Sequence, residues 1–540
     1  MKKLLVLVLV PLFLLSACNN KQDVPSTSTI NPTSSSLTTT SSGKKDAVTL
    51  DIYSINDYHG RVSKTNDSSH FEAGISSFAT YLKNKVNENP DNSIFLNAGD
   101  LWQDTYDSAM NKGELLTKAM VELNCEAMAL GNHEFDWGVD VIKDNKRVVE
   151  TYNENHEFTF LGANIYNYEN GGSTTHASDL CSPYKVIERS GIKIGLIGGI
   201  GVNQLTSITS SNWENITFVD PVNIVKDLSD KLRSELDCKV IIYLYHGGLD
   251  DSNYTQLSQY SNKTGERYVD VGLLGHTHQF ESTIYNGAPW IQSYQHGAVL
   301  GHVRLNVTNS VECTYYSSYE DRVANGFGSG SKSIFKAEED SKMLELVNSY
   351  LTDEFKSKRD EKIVTFENYN DNTFGKEAGK MQAYITSKYI DDLRQENPQI
   401  PNIDVVINNG NRDTVNVKTD HSLNREDIFN LTPFTNKTII AKVKGKDIAN
   451  ECLNYSNPYY LPSNAELRLE NNKIYTVACI DYLLLHKNTS RSYNYFPSYD
   501  DNPIYTIDIY PFEIMNNYFL NNPIYDVAIH HTAGFMDLTN

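Results

Sequence analysis

From Val48 onward, short β-branched or apolar runs alternate with segments of helical spacing, the pattern of layered α/β architecture. The runs are Val48 to Ile55, Ser93 to Leu96, Ala127 to Leu130, Lys193 to Ile197, Val240 to Tyr245 and Val269 to Leu274. Nearly all end in a polar, histidine-bearing or glycine-bearing loop, and in open α/β sheets function gathers beyond the strand ends. Around Gly326 to Ser331 the chain turns Gly/Ser-rich, and then Leu344, Val347, Leu351 and Phe355 recur at helical spacing, which predicts an interdomain helix. Strand-like runs at Ile403 to Ile407, Thr438 to Val443 and Lys473 to Ile480 then predict a second domain, and no internal repeat is visible.

The N-terminus breaks this pattern. Lys2 and Lys3 precede an apolar run from Leu4 to Leu15, the length of an export-signal core and short for a membrane span. The run ends Leu15-Ser16-Ala17-Cys18, which resembles a bacterial lipobox and implies lipidation of Cys18 after cleavage. From Asn19 to about Lys45 the chain is rich in Ser, Thr and Asn, a composition that buries too little surface to order itself and reads as a tether. The organisation expected is therefore a signal peptide over 1–17, a tether over 18–46, a catalytic domain over 47–325, a helical linker over 326–362 and a second domain over 363–540. The expected location is the outer face of the cell membrane.

At 540 residues, with 39% hydrophobic and 21% charged positions, most of the chain is able to bury a core. The net charge of −21 excludes a nucleic-acid polymer as partner, because a phosphate backbone needs a basic stripe. A small anionic substrate then needs local positive charge, which bound metal ions supply. Cys125, Cys181, Cys238, Cys313, Cys452 and Cys479 form no C-x-x-C pair and read as buried thiols.

Five motifs follow the predicted strands in order: Asp57-Tyr58-His59, Gly99-Asp100, Gly131-Asn132-His133-Glu134, His246-Gly247 and Gly275-His276-Thr277-His278. They offer carboxylate, amide oxygen and imidazole at strand ends. That donor mixture suits Zn, Mn, Co or Fe better than calcium, which prefers oxygen alone, or a structural zinc, which prefers thiolate.

The ordered set resembles the calcineurin-like metallophosphatases. The flanks Asn97-Ala98-Gly99-Asp100 and Met128-Ala129-Leu130-Gly131-Asn132-His133-Glu134-Phe135-Asp136 resemble their 5′-nucleotidase and UDP-sugar hydrolase branch. The resemblance implies a four-layer α/β sandwich, then a linker helix and a smaller α/β domain. It implies that Asp57, His59 and His278 hold one divalent ion, Asn132, His246 and His276 a second, and that Asp100 bridges them. Two such ions share a hydroxide at neutral pH and clamp phosphate oxygens during in-line attack. In the family, His133 and Asp136 match a catalytic dyad in which the imidazole serves the leaving oxygen.

In the second half, Asn408-Asn409-Gly410-Asn411-Arg412 resembles the family's Asn…Gly-Gly-Ile-Arg loop, one residue shorter, which implies that Asn409 and Arg412 contact substrate. Pro433-Phe434-Thr435-Asn436 resembles its Pro-Phe-Gly-Asn turn, and Tyr482 falls where a second aromatic stands, so Phe434 and Tyr482 would stack on a base. His486-Lys487-Asn488 replaces the family's Gly-Gly-Asp, which leaves base and sugar preference open. The expected activity is release of phosphate from nucleoside 5′-monophosphates, with cleavage of UDP-sugars. The alternatives are a 2′,3′-cyclic nucleotide phosphodiesterase with 3′-nucleotidase activity, or a non-catalytic surface lipoprotein that binds nucleosides or host surfaces.

Overall fold

The computed structural model describes residues 47–539 except 67–70, 153–156, 170, 210, 211, 214, 250–252, 319–331, 369–373, 410–416, 418, 419, 455, 463–465, 485–494, 501 and 531–535. The export signal, Cys18, the tether and Arg412 lie outside those residues, as does the 486–488 substitution.

Among the described residues, two six-stranded sheets build the first half. The first runs, edge to edge, Val311–Ser317, Gly301–Val307, Val48–Ile55, Ser93–Asn97, Cys125–Ala129 and Thr159–Leu161. The second runs Phe280–Tyr285, Ala288–Ser293, Val271–Leu274, Val240–His246, Ile192–Ile200 and Tyr184–Arg189. Their facing sides share one core, in which Ile52, Ile94, Leu96 and Ala127 of one sheet pack with Leu196, Ile242, Leu244 and Leu273 of the other. The outer face of the first sheet packs Tyr53, Phe95 and Met128 against helices through Phe78, Leu116 and Met120. The outer face of the second packs Ile197, Ile241 and Tyr243 against Val225 and Leu232 of the helix Pro221–Leu236. The result is helix, sheet, sheet, helix. Strands sandwiched in this way are buried on both faces, which is why they read as unbroken apolar runs.

Val48–Ile55, Ser93–Asn97 and Cys125–Ala129 are parallel neighbours, as are Val240–His246 and Val271–Leu274. Within each sheet their carboxyl ends therefore emerge together, and each ends in or is followed by one of the five motifs.

The linker differs from expectation. Instead of one helix there are three short ones, Lys332–Lys336, Ser341–Tyr350 and Asp353–Arg359. The break falls at Leu351-Thr352, where the Thr352 hydroxyl accepts from the Phe355 amide and starts a new helix. The apolar spacing survives the break, since Val347 and Leu351 pack into the first core and Phe355, beyond the break, packs against it.

Beyond it, a five-stranded sheet runs Tyr459–Tyr460, Val405–Ile407, Ile474–Ile480, Thr438–Lys444 and Tyr505–Ile507. A three-stranded sheet runs Ser422–Asn424, Lys362–Glu367 and Ile524–Asp526. The helix Phe374–Glu396 packs Ala378, Met381, Ile385 and Ile390 into a core shared with both sheets, and the other face of the five-stranded sheet has a second core. Among the described residues, no helix is long and apolar enough to cross a membrane.

Candidate metal centre

The strand-end loops turn sharply. Asp57, His59, Asp100, His276 and His278 all adopt positive φ, between 50° and 76°, a region uncommon for non-glycine residues in which Asp and His are enriched. Two close approaches make the turns possible. A Cβ on Gly131 would lie 2.2 Å from Asp100 Oδ1, and one on Gly275 would lie 2.9 Å from both the Ala98 carbonyl and His246 Nδ1. Glycine at these positions lets the loops pack ligand against ligand.

The structure brings all seven expected ligands together. Asp57, His59 and His278 form one group and Asp100, His246 and His276 another, the donor atoms of each lying within 4.8 Å of one another. A third group joins His59, Asp100 and His133, so Asp100 stands between the other two. Asn132 Oδ1 completes the second group, 2.9 Å from His276 Nδ1 and 3.2 Å from His246 Nε2.

The ring orientations fit cation ligands. His246 Nδ1 faces the Ala98 carbonyl at 2.9 Å and His59 Nδ1 faces the Gln103 carbonyl at 3.1 Å, which places the ring protons there and aims both Nε2 lone pairs inward. His59 Nε2 and His278 Nε2 are 2.9 Å apart. Both nitrogens are therefore close enough for one ion to be held by the pair.

The electrostatics follow from burial and proximity. Burial pulls the Asp100 carboxyl upward, but His246 and His133 outweigh it and hold it well below the usual range. Burial acts downward on His246, yet Asp100, 3.0 Å away, pushes it up to about 9. Burial, with His133 beside it, brings His59 down to about 4, and burial with His246 does the same for His276. Those two imidazoles are neutral at pH 7, the form that ligates.

Glu134 holds the loops in place. Buried completely, its Oε2 accepts from the Asp100 and Gly131 amides at 2.9 and 2.8 Å and its Oε1 from the Leu101 amide at 2.8 Å. Burial, and then Asp100, push its carboxyl up to about 7. Glu134→Gln would put an amide donor against at least one of these N–H groups, leaving it unsatisfied at a cost of about 1–3 kcal/mol. The expected outcome is a lower Tm and metal affinity weakened about 10–100-fold. Thermal unfolding and metal titration check it, and a variant matching wild type in both would show that Glu134 holds nothing.

The expected dyad is also assembled. His133 opens a short 3₁₀ turn, His133–Phe135, rather than an α-helix, and its Nδ1 lies 2.6 Å from Asp136 Oδ2. The second half reaches this pair. The Phe434 ring lies nearly parallel to His133, centroids 6.2 Å apart, and Gln103 Nε2 donates to the Pro433 carbonyl. Asn409 and Tyr482 are not shown against the dyad. The Asn409 amide donates to Asn408 Oδ1 at 2.9 Å, and the Tyr482 ring lies 6.1 Å from Tyr495.

Several residues near the site carried no motif. His296, also at positive φ, lies with its ring 5.8 Å from His59 and its amide donating to the Asp57 carbonyl. Arg61 pairs with Asp104 at 3.0 Å and Glu72 at 3.2 Å. Asn56 Nδ2 donates to Asp57 Oδ2 at 2.6 Å. A signal existed for Arg61 and Asn56, which flank the Asp57-Tyr58-His59 motif; His296 had none.

Strand-end loops converging on clustered imidazoles and carboxylates, between two packed sheets, define a metallophosphoesterase site. Residues 50–280 match the model of the calcineurin-like phosphoesterase family. The chain is homologous to an apyrase of Tabanus yao, 32% identical over 43% of this chain and 39% of that protein. It is equally homologous to the 5′-nucleotidase of Rattus norvegicus, 32% identical over 44% of this chain and 39% of the other. The chain thus aligns with about two fifths of these relatives' length. A 5′-nucleotidase precursor from Thermus thermophilus shares the fold over 91% of this chain and all of its own, with a TM-score of 0.61 at 17% identity.

Proposed function

We propose that this protein is a metal-dependent phosphoric ester hydrolase acting on nucleoside 5′-monophosphates, and on nucleotide-sugar pyrophosphate bonds, outside the cell. The observation that carries the reading is the pairing of the seven-ligand centre with a His133–Asp136 hydrogen bond at its edge. Asp57, His59 and His278 would hold one divalent cation and Asn132, His246 and His276 the other, with Asp100 shared. When bound, such a pair supplies Lewis acidity to the phosphoryl group and lowers the pKa of water. The protein's own residues do the rest. Asp136 keeps the His133 Nδ1 proton in place, so that His133 delivers a proton to the leaving oxygen through Nε2. Phe434 beside His133 presents a flat apolar face to the leaving group, and Tyr482 and Arg412 complete substrate contact. The leader and Cys18 support export as a lipoprotein.

The test is turnover of AMP, UDP-glucose, cyclic CMP and p-nitrophenyl phosphate by the full chain loaded with Mn, Co or Zn. AMP is expected to be hydrolysed fastest. Turnover of cyclic CMP alone would move the assignment to a phosphodiesterase, and turnover of none would sink it.

A further inference from the structure

The main-chain carbonyl of Asp136 ends the 3₁₀ turn that carries the dyad, where such oxygens usually lack a partner within the turn. Here it has two donors, both remote in sequence. Asn212 Nδ2 lies 2.6 Å from it, and the Thr435 hydroxyl also donates to it. Asn212 Nδ2 is in addition 3.3 Å from Thr435 Oγ1. Because Thr435 Oγ1 accepts from Asn212, its proton points at the Asp136 oxygen, and each bond polarises the other. Thr435 is buried, with 7% of its surface exposed.

The same loop is pinned on both sides of Thr435. The Pro433 carbonyl accepts from Gln103, whose own carbonyl orients His59. Asn436 Nδ2 donates to Thr209 Oγ1 and to Asp481 Oδ1, each at 2.9 Å. In the turn that this loop resembles, glycine stands at the position of Thr435 and has no hydroxyl to give.

We propose that Thr435 is a positioning residue for the His133–Asp136 pair: with Asn212, its hydroxyl fixes the Asp136 peptide, so that alignment of the pair depends on docking of the 433–436 loop. The inference rests on the proposed role of that pair. A peptide carbonyl held by two donors restrains the backbone torsions of Asp136, from which its carboxylate reaches His133 Nδ1. Release of the loop leaves one donor and a softer carboxylate.

The experiment compares Thr435→Val, which keeps the shape and loses the donor, with Thr435→Ser, which keeps the donor, both in the metal-loaded full chain. Thr435→Val is expected to retain metal content and the KM for AMP while kcat falls about tenfold, within the losses that small misplacements cause. Thr435→Ser is expected to restore kcat. The imidazole signal of His133 in ¹⁵N-histidine NMR, identified by its loss in His133→Asn, should shift in Thr435→Val and return in Thr435→Ser. If Thr435→Val does not fold, Asn212→Ala removes the other donor and should move the same signal. An unmoved His133 signal in a folded variant overturns the proposal even if the wild type hydrolyses no ester. Inactivity of the wild type overturns the proposed function instead.

Discussion

Asp100→Ala will strip the metal centre and take turnover with it. Asp100 belongs to two of the three ligand groups, and 1% of it is exposed. Its Oδ2 lies 3.0 Å from His246 Nε2, while its Oδ1 accepts from the His133 amide at 2.9 Å. The side chain therefore lies between the His59 side and the His246 side, and alanine supplies neither a ligand nor a counter-charge there. Loss of an outer partner of a metal ligand costs about 10–100-fold in affinity or activity, so removal of a shared ligand should exceed about 100-fold in both. Elemental analysis of the purified variant reads the metal and AMP hydrolysis reads the rate. Asp100→Asn keeps the shape and one oxygen, and should fall between alanine and wild type. A variant that keeps the full metal complement would refute the shared-ligand role.

The metal loops were legible in the sequence because ligand chemistry restricts residue type. Carboxylates, an amide and imidazoles, each just beyond an apolar run, have few other reasons to recur in order, and the parallel strands then dictate that they meet. The four-layer architecture was legible for a related reason, since strands covered on both faces lose their polar alternation.

What the sequence hid depended on distance along the chain or on competition between local signals. The Thr435 bond to Asp136 spans 299 residues and the Asn212 bond 76, and no spacing rule reaches so far. Glu134 was visible within its motif, but two of the three amides that it accepts from, those of Asp100 and Leu101, lie 34 and 33 residues away. The linker was misread because Leu344, Val347, Leu351 and Phe355 keep helical spacing across a break. Thr352 in the middle of that pattern prefers to cap a new helix, and its side chain prevails over continuity. The positive φ values at five ligands were equally hidden, because Asp and His enter that region more readily than most residues but residue type does not say which of them do.

His133→Asn separates the two roles that geometry permits for this histidine. His133 lies within one ligand group, with His59 and Asp100, yet its Nδ1 is bonded at 2.6 Å to a carboxylate that is 6% exposed. A histidine whose other nitrogen is so held serves either as a well-oriented ligand or as an oriented proton donor. Each proposed cation already has three protein ligands of its own besides the shared Asp100, and on the proposed reading the leaving group lies where the Phe434 ring flanks His133. His133→Asn is therefore expected to keep both metals while kcat for AMP falls about 10²–10⁴-fold, the range of a lost general acid. The loss should shrink with p-nitrophenyl phosphate, whose acidic leaving group departs with little need of a proton. Metal loss in the variant would transfer His133 to the ligands, and an unchanged rate on AMP with metals retained would remove it from the chemistry altogether.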